Sequence, residues 1–365
     1  MRRSPAGKAA ARPCPTMNSR YQAPNLVAFA RALLAAAGLE KDKADTVASV
    51  LVEGDLLGHT THGLQMLSAY LGELEKGMMA KAGEPLVVAD YPAAVTWDGR
   101  RLPGPWLVVQ ALRLAAERAR SQGTGTVVIR RCHHTACLAA YLRPITEQGL
   151  MALLTCSDPT CGGVAPHGGR RSIYTPDPLA AGWPTNGEPV ILDISMSITT
   201  NGLSKRLYAK GGRFPGLWAV DGNGNPTDDP AALFGENPGG LLPMGGLDHG
   251  HKGYALGLLV EALTGGLAGH GRADPAEGWS ANVFVQVIDP ALFGSGEDFK
   301  RQTTWLADAC RATQTRPGVD RVRMPGETGL KRRAEQLAHG VELYPGVMAT
   351  LASWAEKLGV VAPAG

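Results

Sequence analysis

Several absences narrow what this sequence can do. No apolar run reaches the roughly 18 residues that a membrane-spanning helix needs; the best stretch, residues 254–267, is broken by Glu261 and several glycines. Net charge is only +3, from 36 basic and 33 acidic residues among 365. The basic residues are scattered, so neither a nucleic-acid footprint nor a membrane partner is expected. Cysteine is sparse: Cys14, Cys132, Cys137, Cys156, Cys161 and Cys310 lack the spacing of a secreted disulfide scaffold. That favours reduced thiols and a cytoplasmic location. The Arg/Ala/Pro-rich start has no apolar signal-peptide core, so residues 1–17 read as a disordered lead-in, with Met17 as an alternative start.

Three familiar site patterns are missing as well. There is no Gly-x-Gly-x-x-Gly, which excludes an ordinary Rossmann fingerprint, and no Gly-x-Ser-x-Gly, which excludes a hydrolase elbow. Asp221-Gly222-Asn223-Gly224-Asn225 opens like a calcium loop, but Pro226 stands where glycine is needed and Ala232 where glutamate is needed. What the chain does have is glycine and proline, 47 and 26 residues, which imply many tight turns.

A hydrophobic fraction of 44% and a charged fraction of 19% fit a globular protein of about two domains. Helical periodicity predicts helices over 25–37, 42–57 and 64–75 at the N-terminal end. From 86 the pattern changes. Strands are expected at 86–88, 94–97, 126–129, 150–155, 190–194 and 283–288, with helices at 107–122 and 136–148 and a buried helix at 254–267. Three more helices follow near 298–313, 329–337 and 347–358. This order predicts an α/β (α+β) fold: a mixed α/β domain over 86–289, clasped by a helical domain built from 18–85 and 290–365.

Chemistry concentrates in a few stretches. Gly58-His59-Thr60-Thr61-His62-Gly63 places two imidazoles and two hydroxyls at a helix–helix junction. Arg131-Cys132-His133-His134-Thr135-Ala136-Cys137 joins a strand to a helix, where polar groups can face a cleft and a histidine can exchange a proton near neutral pH. A plain helix cap is the alternative there. A zinc site from Cys132, His133 or His134, Cys137, Cys156 and Cys161 is weighed too, but its spacing does not match the usual zinc patterns, so no metal is expected. Ser157-Asp158-Pro159 is either a structural turn or backbone that approaches a ligand. Asp193-Ile194-Ser195-Met196-Ser197 closes a strand in small hydroxyl residues. Gly245 to Gly253 resembles a phosphate-binding loop broken by His251; glycine N–H groups, a helix start and Lys252 favour an anion.

In this order, these stretches resemble the malate/L-lactate/sulfolactate dehydrogenase-like family, which is distinct from the Rossmann lactate and malate dehydrogenases and includes ureidoglycolate dehydrogenase, diketogulonate reductase and cyclic-ketimine reductases. The similarity runs from about Leu26 to Leu358. Thr61-His62-Gly63-Leu64 looks like the family's Ser-His-Gly-Val, and His133-His134-Thr135-Ala136 like its Asn-His-Phe-Gly. Ser157-Asp158-Pro159 is similar to the substrate-side serine turn. Leu192 to Ile198 matches the cofactor strand, His251-Lys252-Gly253 the lysine loop, and Pro325-Gly326-Glu327 a late cofactor turn.

The resemblance implies a non-Rossmann mixed-sheet cofactor domain, NAD or NADP as cofactor, and a homodimer. It implies hydride transfer to a small 2-oxo acid, or from the matching 2-hydroxy acid, with a cyclic ketimine as the alternative substrate. His62 and His134 are then the candidate catalytic residues, with His134 favoured as proton donor. Thr61 and Ser157 would touch substrate. Asp193, Ser195, Met196, Ser197, His251, Lys252, Pro325, Gly326 and Glu327 would hold the cofactor. Two positions depart from the pattern: Met66 stands where the family has the arginine for the substrate carboxylate, and Thr175-Pro176-Asp177-Pro178 stands for Gly-Thr-Asn-Pro. The missing arginine keeps a non-catalytic nucleotide-binding protein in view, and the Cys/His cluster a zinc hydrolase.

Overall fold

Burial of the N-terminal helices follows the periodicity read from the sequence. The computed structural model describes residues 20–275 and 278–364, so the expected lead-in at 1–17 lies outside the described residues. After a short strand β1 (Arg20–Tyr21), helix α1 (Ala23–Ala36) buries Leu26, Phe29, Ala30, Leu33 and Leu34 along one stripe. Helix α2 (Lys41–Leu57) ends on Gly58, whose φ of +89° is a left-handed cap. Helix α3 (Leu67–Glu75) follows after a single 3-10 turn at Leu64–Met66.

The middle of the chain builds a seven-stranded mixed sheet. Its strands are β2 (Leu86–Tyr91), β3 (Ala94–Asp98), β4 (Thr124–Cys132), β5 (Met151–Ser157), β6 (Leu179–Trp183), β7 (Val190–Ile194) and, from later in the chain, Ala281–Ile288. The last strand inserts between β4 and β5, where Val283, Val285 and Val287 are fully buried. β3 pairs with β4 in parallel and the other pairs are antiparallel. Between these strands lie α4 (Gly104–Gln122), α5 (Arg143–Thr146) and α6 (Asn201–Ala209), then a small three-stranded sheet of β8 (Ala219–Val220), β9 (Pro226–Thr227) and β10 (Gly240–Leu241), and then α7 (Gly246–Glu261). With Ala281–Ile288 as β11, the chain closes through α8 (Gly296–Ala312), α9 (Glu327–His339), β12 (Val341–Glu342) and α10 (Val347–Leu358). The chain ends meet: β12 pairs with β1, α9 packs on α2, and α10 packs on α1 and α3. No described helix is long and apolar enough to cross a membrane.

Two elements differ from the sequence expectation. The helix expected at 136–148 is a 3-10 turn at Leu138–Tyr141 followed by the one-turn α5. Pro144 lacks the N–H that would continue a helix and instead restarts one, and Ala136 has a φ of +60°. The apolar helix expected at 254–267 begins at Gly246, so the loop that resembled a phosphate cradle forms its first turns. Glycine hid that start. Gly246, Gly250, Gly253 and Gly257 form the buried stripe, and a Cβ at Gly253 would lie 2.5 Å from the Met244 backbone. The same helix is not buried all round, because Leu247, Leu256, Leu258 and Leu259 are exposed.

Candidate active site

The α2–α3 junction carries His62 over a buried acid. Asp55, in the last turn of α2, accepts the Leu64 N–H at 2.7 Å. Gly63 passes so close that a Cβ there would meet the Asp55 carboxyl at 2.3 Å, which is why glycine must follow His62. Burial pushes the Asp55 carboxyl up to about 7, against the Leu64 hydrogen bond and the nearby Arg206 charge, which act to lower it. The His62 N–H closes a turn on the His59 carbonyl, and the Thr61 hydroxyl lies 2.8 Å from His62 Nδ1.

His134 approaches from the end of β4. The Ala136 N–H donates to its Nδ1 at 3.2 Å, and the Tyr70 hydroxyl, from α3, lies 2.8 Å from the same nitrogen. An Nδ1 that accepts leaves the ring proton on Nε2. Trp279 covers this ring, centroids 4.7 Å apart. His62 and His134 stack at 5.7 Å with planes 20° apart, so the two stretches singled out in the sequence meet. Burial lowers the pKa of both imidazoles; Asp193 works to raise that of His62, whereas His134 has only other histidines beside it and is lowered well below its usual value. His133 points away toward Glu73, 3.6 Å off, and burial brings it down to about 4.

Beside this pair opens a cleft of about 870 Å³, lined by Gly58, His59, Ala139, residues 191–194, Arg321, Arg323, the Pro325-Gly326 turn and Arg332. Two predicted cofactor elements, the Asp193 strand and the Pro325-Gly326 turn, therefore share one cleft wall. Gly326 (φ +84°) lies against β7, where a Cβ would be 2.6 Å from the Ile191 carbonyl. Glu327 holds that turn by accepting the Met324 N–H at 3.0 Å and pairing with Arg321 at 2.5 Å. Three arginines and a backbone-lined floor suit the diphosphate and ribose of a dinucleotide.

The remaining predicted residues sit elsewhere or face inward. Ser195 and Ser197 hydrogen-bond within their own turn, Ser197 Oγ to the Thr199 carbonyl at 2.6 Å, and Met196 is buried. Ser157 is 2% exposed, its hydroxyl 2.8 Å from Thr264 Oγ1 in the turn that follows α7. His251 and Lys252 are exposed on α7 rather than in a loop. The five residues weighed for zinc do not gather: among the described residues, only His59, Cys137 and Asp193 bring His, Cys and carboxylate donors within 4.8 Å of one another. Asp55, Tyr70, Trp279 and Arg206 escaped the sequence reading, since each stands in a helix or loop with no local motif. Arg206 in α6 donates to Thr60 Oγ1 and the Thr60 carbonyl, both at 2.9 Å, and to Gln65, and its guanidinium stacks on Tyr344 at 3.5 Å.

Asp177, at the family's asparagine position, is fully buried with a φ of +44° and accepts the Thr175 hydroxyl at 2.6 Å. Burial and the neighbouring Glu261 carboxylate push its carboxyl up to about 8. Such a group contributes most below its unfolded pKa of about 4 and loses that contribution as pH rises to about 8. Asp177→Asn should therefore stabilise the protein, with a gain at least about 1 kcal/mol larger at pH 8 than at pH 5. Denaturant midpoints at the two pH values measure this; a gain that does not depend on pH would exclude a buried ionisation.

A family model described as malate/L-lactate dehydrogenase matches residues 21–352. The chain is 34% identical to an L-lactate dehydrogenase of Cupriavidus necator, covering 92% of this chain and 97% of that one. It is 32% identical to a Delta(1)-pyrroline-2-carboxylate/Delta(1)-piperideine-2-carboxylate reductase of Pseudomonas syringae pv. tomato, covering 90% and 93%. Among solved structures, malate dehydrogenase from Pyrococcus horikoshii superposes with a TM-score of 0.85 at 27% identity, covering 94% and 97%.

Proposed function

The chain belongs to the malate/L-lactate dehydrogenase family, and from that premise we propose that it uses NADH or NADPH to interconvert a small 2-oxo acid and its 2-hydroxy acid at the His62–His134 pair. It is an oxidoreductase that uses a nicotinamide cofactor. The observation that carries the reading is the stacking of two imidazoles from separate stretches of the chain, 5.7 Å apart, beside a cleft lined by Asp193 and the Pro325-Gly326 turn.

When bound, the nicotinamide supplies the hydride. The protein's part is positioning and proton transfer. His134, kept neutral by burial and held by Ala136 and Tyr70, offers Nε2–H as a hydrogen-bond donor to the developing oxyanion. His62, with Asp193 favouring its charged form, takes up and delivers the proton; two imidazoles this close do not both carry charge. This assigns the proton to His62 rather than to the His134 favoured by resemblance. Arg321, Arg323 and Arg332 would hold the diphosphate, and Trp279 keeps water off His134. We place the substrate carboxylate against Arg206, the cation near enough to lower the His62 pKa, in place of the arginine that Met66 has replaced.

A cyclic ketimine is the second reading. Tyr70 and Trp279 set aromatic rings against His134, and Met66 puts an apolar side chain where the family has an arginine; an apolar, aromatic neighbourhood suits a ring. The exposed leucines of α7 support pairing with a second copy of the chain, and the sparse cysteines support a cytoplasmic location.

The test is oxidation of NADH and NADPH against pyruvate, oxaloacetate, phenylpyruvate, diketogulonate and cyclic ketimines. Turnover with at least one is expected. Silence across the whole panel with both cofactors would sink the reading.

A further inference from the structure

We propose that His59, Cys137 and Asp193 form a site for a borderline-soft divalent cation of the zinc class, set in the wall of the cofactor cleft. Three elements supply the donors: His59 comes from the turn after α2, Cys137 from the loop after β4, and Asp193 from β7. One nitrogen, one sulfur and one oxygen lie within 4.8 Å of one another. A tetrahedral zinc, with Zn–S of about 2.3 Å and Zn–O of about 2.0 Å, sets sulfur and oxygen about 3.5 Å apart. Cys137 Sγ and Asp193 Oδ2 are 3.8 Å apart, so the edge needs almost no rearrangement.

The site also has outer support and an entrance. The Ala139 N–H donates to Asp193 Oδ2 at 2.8 Å and fixes the carboxylate. His59 and Asp193 line the cleft, whereas Cys137 lies behind them, 3% exposed. Three protein ligands with a fourth position open to water is a common arrangement for zinc. Neither His59 nor Cys137 has a part in the proposed proton transfer; Asp193 is the one member shared with it, as the carboxylate that favours the charged form of His62. An ion here takes Asp193 from the cofactor and adds positive charge beside His62. Cation and dinucleotide therefore exclude each other, a consequence that rests on the proposed cofactor cleft, although the ion site itself does not.

Cobalt(II) titration of the metal-free, reduced, full-length protein without cofactor tests the site. The expected result is one Co²⁺ per chain, with a thiolate-to-cobalt charge-transfer band in the near ultraviolet and visible bands of tetrahedral intensity, all displaced by Zn²⁺. Cys137→Ser should abolish the charge-transfer band. His59→Ala, on a half-exposed turn, should keep the band but weaken Co²⁺ binding at least about tenfold. No band in the wild-type protein, a band that survives Cys137→Ser, or unchanged affinity in His59→Ala would overturn the proposal. NADH should raise the apparent Co²⁺ dissociation constant in proportion to its concentration. A band of the expected kind that NADH does not weaken would support the ion site and count against Asp193 in the cofactor cleft, so the two ideas fail separately.

Discussion

His62→Ala lowers turnover roughly 100-fold or more, and His134→Ala does so to a similar extent, but the two variants part company in their pH dependence. His62 is the imidazole with a carboxylate, Asp193, favouring its protonated form, so it is the one that gains and loses charge during reduction. Its pKa is lowered by burial, and reduction needs the protonated ring. The kcat/KM for reduction should therefore fall as pH rises through a value below the ordinary imidazole range, and oxidation should show the opposite slope. His134 stays neutral throughout, its Nδ1 facing the Ala136 N–H and the Tyr70 hydroxyl. In His134→Gln the pH limb should persist with reduced amplitude, and in His62→Gln it should disappear. A limb that survives removal of His62 would place the donor elsewhere, and near-normal turnover in both alanine variants would remove the pair from catalysis.

The part of this site that could be read in the sequence is the part with local chemistry. His62 stands between glycines, and Gly63 is forced by the Asp55 carboxyl beneath it; His134 follows an apolar strand at a strand–helix switch. Both signals are short-range, and so are the periodicities that placed α1, α2, α4 and the central strands. What was illegible depends on distant partners. Asp55 looks like any helix acid until Leu64 turns back onto it. Tyr70 occupies a core position in α3, and only the return of β4 brings His134 to its hydroxyl. The start of α7 reads as a loop because its packing stripe is glycine, whose value lies in what it lets approach: His167 against Gly250, the Tyr174 ring against Gly257. β6, α6 and the small sheet β8–β10 are short elements in Gly- and Pro-rich sequence, with too few residues to establish a period.

Arg206→Met should cost about 2–4 kcal/mol in kcat/KM, roughly 30- to 1,000-fold, chiefly through KM for the carboxylate substrate, with KM for the cofactor little changed. Met66 is apolar and packs on the core, so it cannot pair with an anion. Arg206 reaches the same region from α6, where its guanidinium is held by Thr60 and Gln65 and lies flat on Tyr344. Its Nε–H is buried and without a hydrogen-bond partner among the described residues. A pinned, partly desolvated cation beside His62 is the kind of group that a substrate carboxylate completes. The rival explanation is that Arg206 only staples α6 to the His62 loop. Two measurements separate them. Adding Met66→Arg to the Arg206→Met variant should recover much of the lost KM, because the charge returns from the neighbouring loop; a missing staple would not be replaced this way. A substrate analogue with an amide in place of its carboxylate should be handled equally by wild type and Arg206→Met if the lost interaction is with the carboxylate. If Arg206 is only a staple, both substrates suffer alike, because a displaced His62 turns over neither.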